Sequence, residues 1–127
     1  MKFKVLPRQN PSDRTAPVRY YPFPQWDSEL TMRQMAQQIA AHCTLTPPDI
    51  TAVLEAFLYD LPHYLQQGHS IRRGDFGIIK MSFRGNGQPT ADEVGAKDIH
   101  TPRVLFLAGT ELKKQLAQTE YERADRM

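Results

Sequence analysis

The sequence predicts an α+β domain, in which two helices precede an antiparallel sheet and a short helix closes the fold. Three observations support this prediction. Apolar residues recur at helical spacing over residues 32–65. After Gly68, apolar and polar residues alternate, as in a strand with one buried face. A second apolar stretch at residues 103–107 is typical of another strand, and a short amphipathic segment after it is typical of the closing helix.

Length and composition are those of one small domain with tails. The chain has 127 residues, of which 40% are hydrophobic and 24% are charged. Half of its ten prolines lie within the first 24 positions. We therefore expect a proline-rich extension with a short strand at residues 1–29, a compact domain at residues 30–118, and a charged C-terminal tail that frays at residues 119–127.

No set of residues suggests an active site or a cofactor site. Cys43 is the single cysteine, which excludes an internal disulfide and a cysteine metal cluster and fits a reducing cytoplasm. The four histidines accompany neither carboxylates at metal-ligand spacing nor a nucleophile. No glycine-rich phosphate loop opens a helix. We predict a protein that is not an enzyme and that has no cofactor, metal ion or small-molecule substrate.

The chain carries no signal for a membrane. Its first residues are not followed by the apolar run of a signal peptide, and no stretch is long enough to span a bilayer. We therefore expect a soluble cytoplasmic protein without a membrane partner. The net charge of +2 permits a nucleic-acid partner but does not require one.

The N-terminal extension is predicted to be extended rather than helical. Residues 3–6 are a strand candidate that Pro7 stops, and residues 8–24 are an arm or loop. Tyr20, Tyr21 and Trp26 belong to an aromatic run that we expect to pack on the domain or across a subunit interface. The alternative is that these rings stack on nucleic-acid bases.

Two helices follow, and each has a clear start. Thr31 and Gln34 form a capping box before an apolar stripe that extends to Cys43. Thr46 caps the second helix, Pro47 suits its first position, and Asp49 can reach back to the cap. Residues 31–68 should therefore form a helical hairpin.

The second helix carries more apolar surface than one partner needs. Its stripe contains Ile50, Val53, Leu54, Phe57, Leu58, Leu61, Tyr64 and Leu65. We infer from this surplus that a second copy of the chain covers it, which predicts a homodimer. Pro62 should kink the helix or end its regular part, and Gly68 is the expected C-terminal cap.

The strand region begins with two isolated glycines. Gly74 and Gly77 bracket Phe76, and glycines in a strand pattern mark a bulge or a close backbone approach. Residues 79–83 then alternate between apolar and polar side chains. Residues 84–87 are typical of a flexible polar tip. Residues 94–100 are either a strand or an ordered loop, and a returning strand at residues 103–107 leads into the last helix after Gly109.

Two of these segments carry a resemblance to a known family. Gly74-Asp75-Phe76-Gly77, followed by Phe106-Leu107-Ala108-Gly109-Thr110-Glu111-Leu112-Lys113, resembles the HU/IHF family of bacterial histone-like DNA-binding proteins. The resemblance extends over residues 30–118. The proline-rich lead, with Pro7-Arg8, Asn10-Pro11 and Tyr20-Tyr21-Pro22, is similar to that of the N-terminally extended HU-like proteins of Bacteroidetes.

The resemblance implies a fold and a function. The fold would be an intertwined homodimer with an N-terminal helical hairpin, a three-stranded antiparallel sheet that extends a β-ribbon arm, and a short C-terminal helix. The function would be that of a nucleoid-associated protein, which binds double-stranded DNA through the minor groove with low sequence specificity and can bend it.

The same resemblance implies a set of DNA-binding residues. Arg84 falls on an arginine of the family's arm, and Lys113 falls on a basic position of the last helix. Pro89 is either the wedge between base pairs or an ordinary turn proline, and Asp92-Glu93 bring negative charge into the arm region. Ser82, Leu107 and Thr110 stand where the family has cations. The complete set of candidates is Arg72, Arg73, Lys80, Arg84, Pro89, Lys97, Arg103, Lys113 and Lys114.

Two other functions remain open at this point. The near-neutral charge and the acidic arm segment fit an HU-fold dimer that binds DNA weakly or not at all and serves as a protein-interaction or structural module. Single-strand binding by Tyr20, Tyr21 and Trp26 is the third possibility.

Overall fold

The structure, a computed structural model, describes residues 1–124. Its helices are α1 (Met32–Ala40), α2 (Pro47–Gln66) and α3 (Thr110–Ala117), and its strands are β1 (Lys2–Arg8), β2 (Arg19–Gln25), β3 (Ile71–Arg73), β4 (Gly77–Gly85), β5 (Ile99–Ala108) and β6 (Glu122–Arg123). The chain divides into two compact units. The first comprises Met1–Leu30 with the described part of the segment from Leu116, and the second comprises Thr31–Gln115.

The first unit is a three-stranded sheet in the order β2-β1-β6. Strands β1 and β2 are antiparallel along their whole length, from Lys2 opposite Gln25 to Arg8 opposite Arg19. The prediction that Pro7 stops the first strand is wrong, and so is the prediction that the whole of residues 8–24 is an arm or loop. The prolines are tolerated because β2 is an edge strand and because β6 reaches β1 only at Lys2 and Phe3.

The C-terminal tail completes this sheet, so the prediction that it frays is wrong for the residues that the structure describes. The terminal ammonium group of Met1 donates to the Glu120 carbonyl at 2.8 Å. The amide groups of Glu122 and Ala124 donate to the carbonyls of Met1 and Phe3 at 3.1 and 2.9 Å. These backbone bonds hold β6 parallel to β1. Residues 125–127, which belong to the same predicted tail, lie outside the described residues.

The second unit begins with the two predicted helices, and both capping boxes are confirmed. Thr31 Oγ1 accepts from the Gln34 amide at 3.2 Å, and Gln34 Oε1 accepts from the Thr31 amide at 2.9 Å. In α2 the Thr46 hydroxyl donates to Asp49 Oδ2 at 2.7 Å. This hydrogen bond, together with the one from the Thr46 amide, lowers the pKa of the Asp49 carboxyl because both stabilise its charged form.

Helix α2 continues through Pro62 to Gln66, so the proline does not end it. Pro62 removes one backbone bond, to the carbonyl of Leu58, which is an exposed residue that water can reach. The predicted cap at Gly68 is confirmed. Gly68 has φ +90°, its amide donates to the Leu65 carbonyl at 3.0 Å, and the His69 amide donates to the Tyr64 carbonyl at 3.1 Å. This is the Schellman arrangement.

The second sheet has the order β3-β4-β5 with antiparallel pairing. A turn at residues 74–76 joins β3 to β4, and the Phe76 amide donates to the Arg73 carbonyl at 2.9 Å. Of the two predicted alternatives, a bulge or a close backbone approach, the second is found at Gly77, where a Cβ atom would lie 2.5 Å from the Leu107 carbonyl oxygen and 2.8 Å from the Phe106 ring. A Cβ atom at Gly74 would meet nothing within 4 Å, so that glycine lies in the turn without a close approach. Strand β5 therefore lies directly against Gly77.

Gly109 is held even more closely. A Cβ atom there would overlap the Asp75 carbonyl group, and the Gly109 amide donates to the Phe76 carbonyl at 2.9 Å. We expect Gly109→Ala to lower the free energy of unfolding by about 1–3 kcal/mol, because the backbone must move to admit the methyl group. Gly87→Ala is the control, since its Cβ would meet nothing within 4 Å. Urea unfolding measures both, and equal midpoints for the two variants would contradict the close approach.

Strands β4 and β5 are joined by a compact segment, residues 86–98, which we call the cap loop. Two short 3₁₀ turns lie within it, Ala91–Glu93 and Ala96–Asp98. Asp98, only 5% exposed, accepts from Gln88 Nε2 at 2.7 Å and from the Gly95 amide at 3.0 Å. The predicted polar tip at residues 84–87 is therefore wrong in its position: Arg84 and Gly85 belong to β4, and the chain reverses within the cap loop.

The hydrophobic core is small. Among the described residues, the buried hydrophobic side chains are Ala36, Ile50 and Leu65. Large apolar residues stay exposed on α2, including Val53 at 62% and Leu58 at 51%. No helix within residues 1–124 is both long and apolar enough to cross a membrane.

Candidate nucleic-acid interface

The sheet of the second unit has one basic face. Side chains alternate along a strand, and residues opposite each other in the register share a face. Lys80 and Arg84 are an even number of residues apart on β4, and Arg103 on β5 lies opposite Ser82 between them. Arg72 on β3 lies opposite Ile78, two residues before Lys80. These four exposed cations, Arg72, Lys80, Arg84 and Arg103, define what we call the basic face.

The other side of the same sheet is mainly apolar. It carries Ile79, Met81 and Phe83 from β4 and Val104 and Phe106 from β5. Arg73, the neighbour of Arg72, also belongs to this side because it lies opposite Gly77. The structure therefore separates the two adjacent arginines that the sequence placed together.

A bulge in β5 adds a residue to the basic face. The register shifts between Ser82 and Arg84, so β5 has one residue more than β4 at this point, and Thr101 there has φ +53°. His100 consequently lies opposite Arg84, on the side of Arg103. Its ring nitrogens are 2.9 Å from Thr101 Oγ1 and 3.1 Å from Asn86 Oδ1.

Sequence reasoning missed His100 because it is three positions from Arg103. In a regular strand, an odd separation places two side chains on opposite faces. The signal that was available is the Thr101-Pro102 pair, since a proline inside a strand pattern indicates a bulge or an edge.

Lys80, Arg84 and Arg103 form a stripe along the β4–β5 ladder, on a face that they share with Ile78, Leu105 and Leu107. Lys80 and Arg84 are four residues apart, which is about 13 Å along a strand, and Arg103 lies beside the midpoint between them. The sequences of β4 and β5 contain neither aspartate nor glutamate. Such a stripe can contact successive phosphates of a nucleic acid, since each cation replaces a condensed counterion.

The remaining candidates are not on this face. Pro89 and Lys97 lie in the cap loop, which also contains the exposed acids Asp92 and Glu93. Lys113 and Lys114 are exposed on α3. Because successive helical residues point about 100° apart, only one of these two lysines can face a given surface.

In residues 1–124 no group of three or more histidine, cysteine, aspartate or glutamate residues is arranged to hold a metal ion.

A family model matches nearly the entire chain. It is the model HU-HIG, described as an HU domain fused to wHTH, Ig, or a glycine-rich motif, and it matches residues 1–123. This match confirms the resemblance that residues 74–77 and 106–113 indicated.

The fold is also found in a solved structure, the crystal structure at 2.25 Å resolution of a "Putative bacterial DNA binding protein from Bacteroides vulgatus ATCC 8482". The two chains are 12% identical and superpose with a TM-score of 0.61, over 96% of this chain and 47% of that chain. This chain thus spans about half the length of its neighbour. A comparison of this chain with curated proteins found no match. The similarity supports the α+β fold predicted from the sequence.

Proposed function

The chain belongs to the HU-HIG family of HU domains, and from that premise we propose that it binds double-stranded DNA as a homodimer through the basic face. The observation that carries the proposal is the alignment of four exposed cations on a sheet whose two long strands lack acidic residues. A polyanion is the partner that such a surface complements.

Low sequence specificity follows from the same chemistry. Arginine and lysine side chains that contact phosphates fix the position of a protein on DNA but do not read the bases. Preference among sequences would then arise from how easily each deforms. We assign the protein to the nucleoid of the cytoplasm on this basis, without an enzymatic activity or a cofactor.

The homodimer rests on the exposed apolar surface of the second unit. Val53, Phe57 and Leu58 on α2 are 62%, 45% and 51% exposed. Few apolar side chains of residues 1–124 are buried. Stable homodimers cover such surfaces with interfaces that resemble a domain core cut in half. In the proposed dimer, the α2 stripe meets a second copy of the chain.

DNA bending is part of the proposal through Pro89. This residue is exposed in the cap loop, and its neighbour Gln88 is fixed by the hydrogen bond to the buried Asp98. A rigid apolar residue at this position suits insertion between two base pairs, which unstacks them and kinks the duplex.

The salt dependence of binding tests the proposal. The two basic faces of a dimer offer eight cations, so a fluorescent duplex should bind with a slope of about −7 in the logarithm of affinity against the logarithm of salt concentration. Affinity should then fall about 10⁴-fold between 50 and 200 mM salt. A flat response, or no binding to a long duplex at low salt, would contradict the proposal.

A second candidate function is favoured by the acidic cap loop. Asp92 and Glu93 are exposed in the loop that joins β4 to β5, the two strands that carry most of the basic face. Their negative charges would repel phosphates. A dimer that uses its apolar surfaces as a protein-interaction or structural module would have the mass of two chains but would never shift DNA in a gel. Mass measurement and gel shift on one sample separate the two functions.

A further inference from the structure

The sheet of the first unit also has two chemically different faces. Strand β1 presents Lys2, Lys4 and Arg8 on the same side because they are an even number of residues apart. Arg19 on β2 lies opposite Arg8 and shares that side. Neighbouring cations of β1, such as Lys2 and Lys4, stand about 7 Å apart along the strand.

Two aromatic rings lie among these cations. Tyr21 is opposite Leu6, and Phe23 is opposite Lys4, so both rings are on the side of the cations. The Arg8 guanidinium lies over the Phe23 ring, 4.9 Å from its centroid, which confirms that the two share a face. Tyr21 is 42% exposed. We call this surface the cation–aromatic face.

The cation–aromatic face borders an open groove of about 900 Å³. Arg8, Arg19, Tyr21 and Phe23 line this groove together with residues of the loop that joins β1 to β2. The acid that the register places on this face is Glu122, opposite Lys2 at the edge of the sheet. Among the described residues, no carboxylate forms an ion pair with the four cations.

The opposite side of the sheet has a different composition. Phe3, Val5, Tyr20, Pro22 and Pro24 lie there, and the register assigns neither lysine nor arginine of β1 or β2 to it. The cations are therefore segregated with Tyr21 and Phe23 rather than distributed over the hairpin. Cations that only kept the protein soluble would not need to lie on one side of the hairpin.

We infer that the cation–aromatic face binds single-stranded nucleic acid, with phosphates on the cations and bases stacked on Tyr21 and Phe23. A positively charged groove with exposed rings is the arrangement that holds single strands without sequence preference. Bases of an intact duplex are already stacked on each other and cannot reach a ring on an open sheet. The inference does not depend on the proposed duplex binding, which uses residues of the other unit.

The structure also revises the aromatic set that the sequence suggested. Tyr20 lies on the apolar side of the sheet, and Trp26 follows the end of β2. Of the three rings named from the sequence, Tyr21 lies among the cations, and Phe23 joins it.

Titration of the full chain with fluorescently labelled oligo(dT) tests the inference. Tyr21→Ala should weaken binding about 5- to 150-fold, because it removes one stacking platform. Tyr20→Ala is the matched control, since it removes the same ring from the opposite side of the same strand, and it should leave the affinity unchanged. Equal affinities of Tyr21→Ala and the unaltered chain would overturn the inference.

A charge variant keeps the test decisive if Tyr21→Ala does not fold. Lys4→Gln, at an exposed position, should reduce the salt slope for oligo(dT) by about 0.7. Lys80→Gln in the other unit should weaken duplex binding more than oligo(dT) binding, whereas Lys4→Gln should have the opposite preference, which separates this inference from the proposed function. If Lys4→Gln weakens duplex and oligo(dT) binding equally, the face contacts phosphates without stacking bases, and the inferred preference for single strands is wrong.

Discussion

Phe57→Glu is expected to convert the proposed homodimer into a monomer and to remove most of its stability. Phe57 lies on the apolar stripe of α2 and is 45% exposed in the single chain, although it is one of its largest apolar side chains. In the dimer a carboxylate at this position would be buried without a partner, which costs several kcal/mol. Light scattering should give a mass near twice 14.6 kDa for the unaltered chain and near 14.6 kDa for the variant.

The control for this variant lies on the same helix. Tyr59 is 84% exposed and is two positions from Phe57, so it is off the stripe. Tyr59→Glu introduces the same charge in place of an aromatic ring and should leave the dimer intact. The melting temperature of the unaltered chain should also rise with protein concentration, because folding and association are linked. A monomeric mass for the unaltered chain would refute the dimer.

Replacing Lys80, Arg84 and Arg103 together by glutamine is expected to remove most of the duplex affinity. The three cations follow one another along the β4–β5 ladder, and a dimer contains two such sets. The salt slope for duplex binding should fall from about −7 to about −2, because each lost phosphate contact contributes about 0.9. Fluorescence anisotropy of a labelled duplex at several salt concentrations measures this change.

A matched triple variant distinguishes the basic face from total charge. Lys97, Lys113 and Lys114 carry the same charge but lie in the cap loop and on α3. Their replacement by glutamine changes the net charge equally and should leave most of the salt slope in place. If the salt slope for duplex binding decreases equally in both triple variants, the protein binds DNA through its overall charge. The assignment of DNA binding to the basic face is then wrong.

Local interactions explain why much of the second unit could be predicted from the sequence. The capping boxes at Thr31 and Thr46 and the Schellman cap at Gly68 each join residues fewer than six positions apart. Such contacts are determined by side-chain chemistry at short range. The glycines of the strand pattern predicted a bulge or a close backbone approach, and the second alternative is found at Gly77.

Pairings between distant segments could not be predicted. The N-terminal strand pairs with residues that lie about 120 positions later, and neither β2, which contains two prolines, nor the two-residue β6 has a recognisable strand pattern. The cap loop depends on Asp98, a single buried carboxylate whose partners are up to ten residues away. A pattern of hydrophobicity contains no information about such pairings.

By itself the sequence determined the helices, their N-terminal caps, most of the two long strands of the second unit and the family, because periodicity, caps and short motifs are local properties. The first helix ends at Ala40, before the end of its predicted stripe at Cys43. Only the tertiary structure decided which charges share a surface. The register and the bulge at Thr101 bring Lys80, Arg84, Arg103 and His100 to one side and send Arg73 to the other. The face of a side chain depends on every residue between it and its partner, so one inserted residue in β5 changes the surface that a ligand meets.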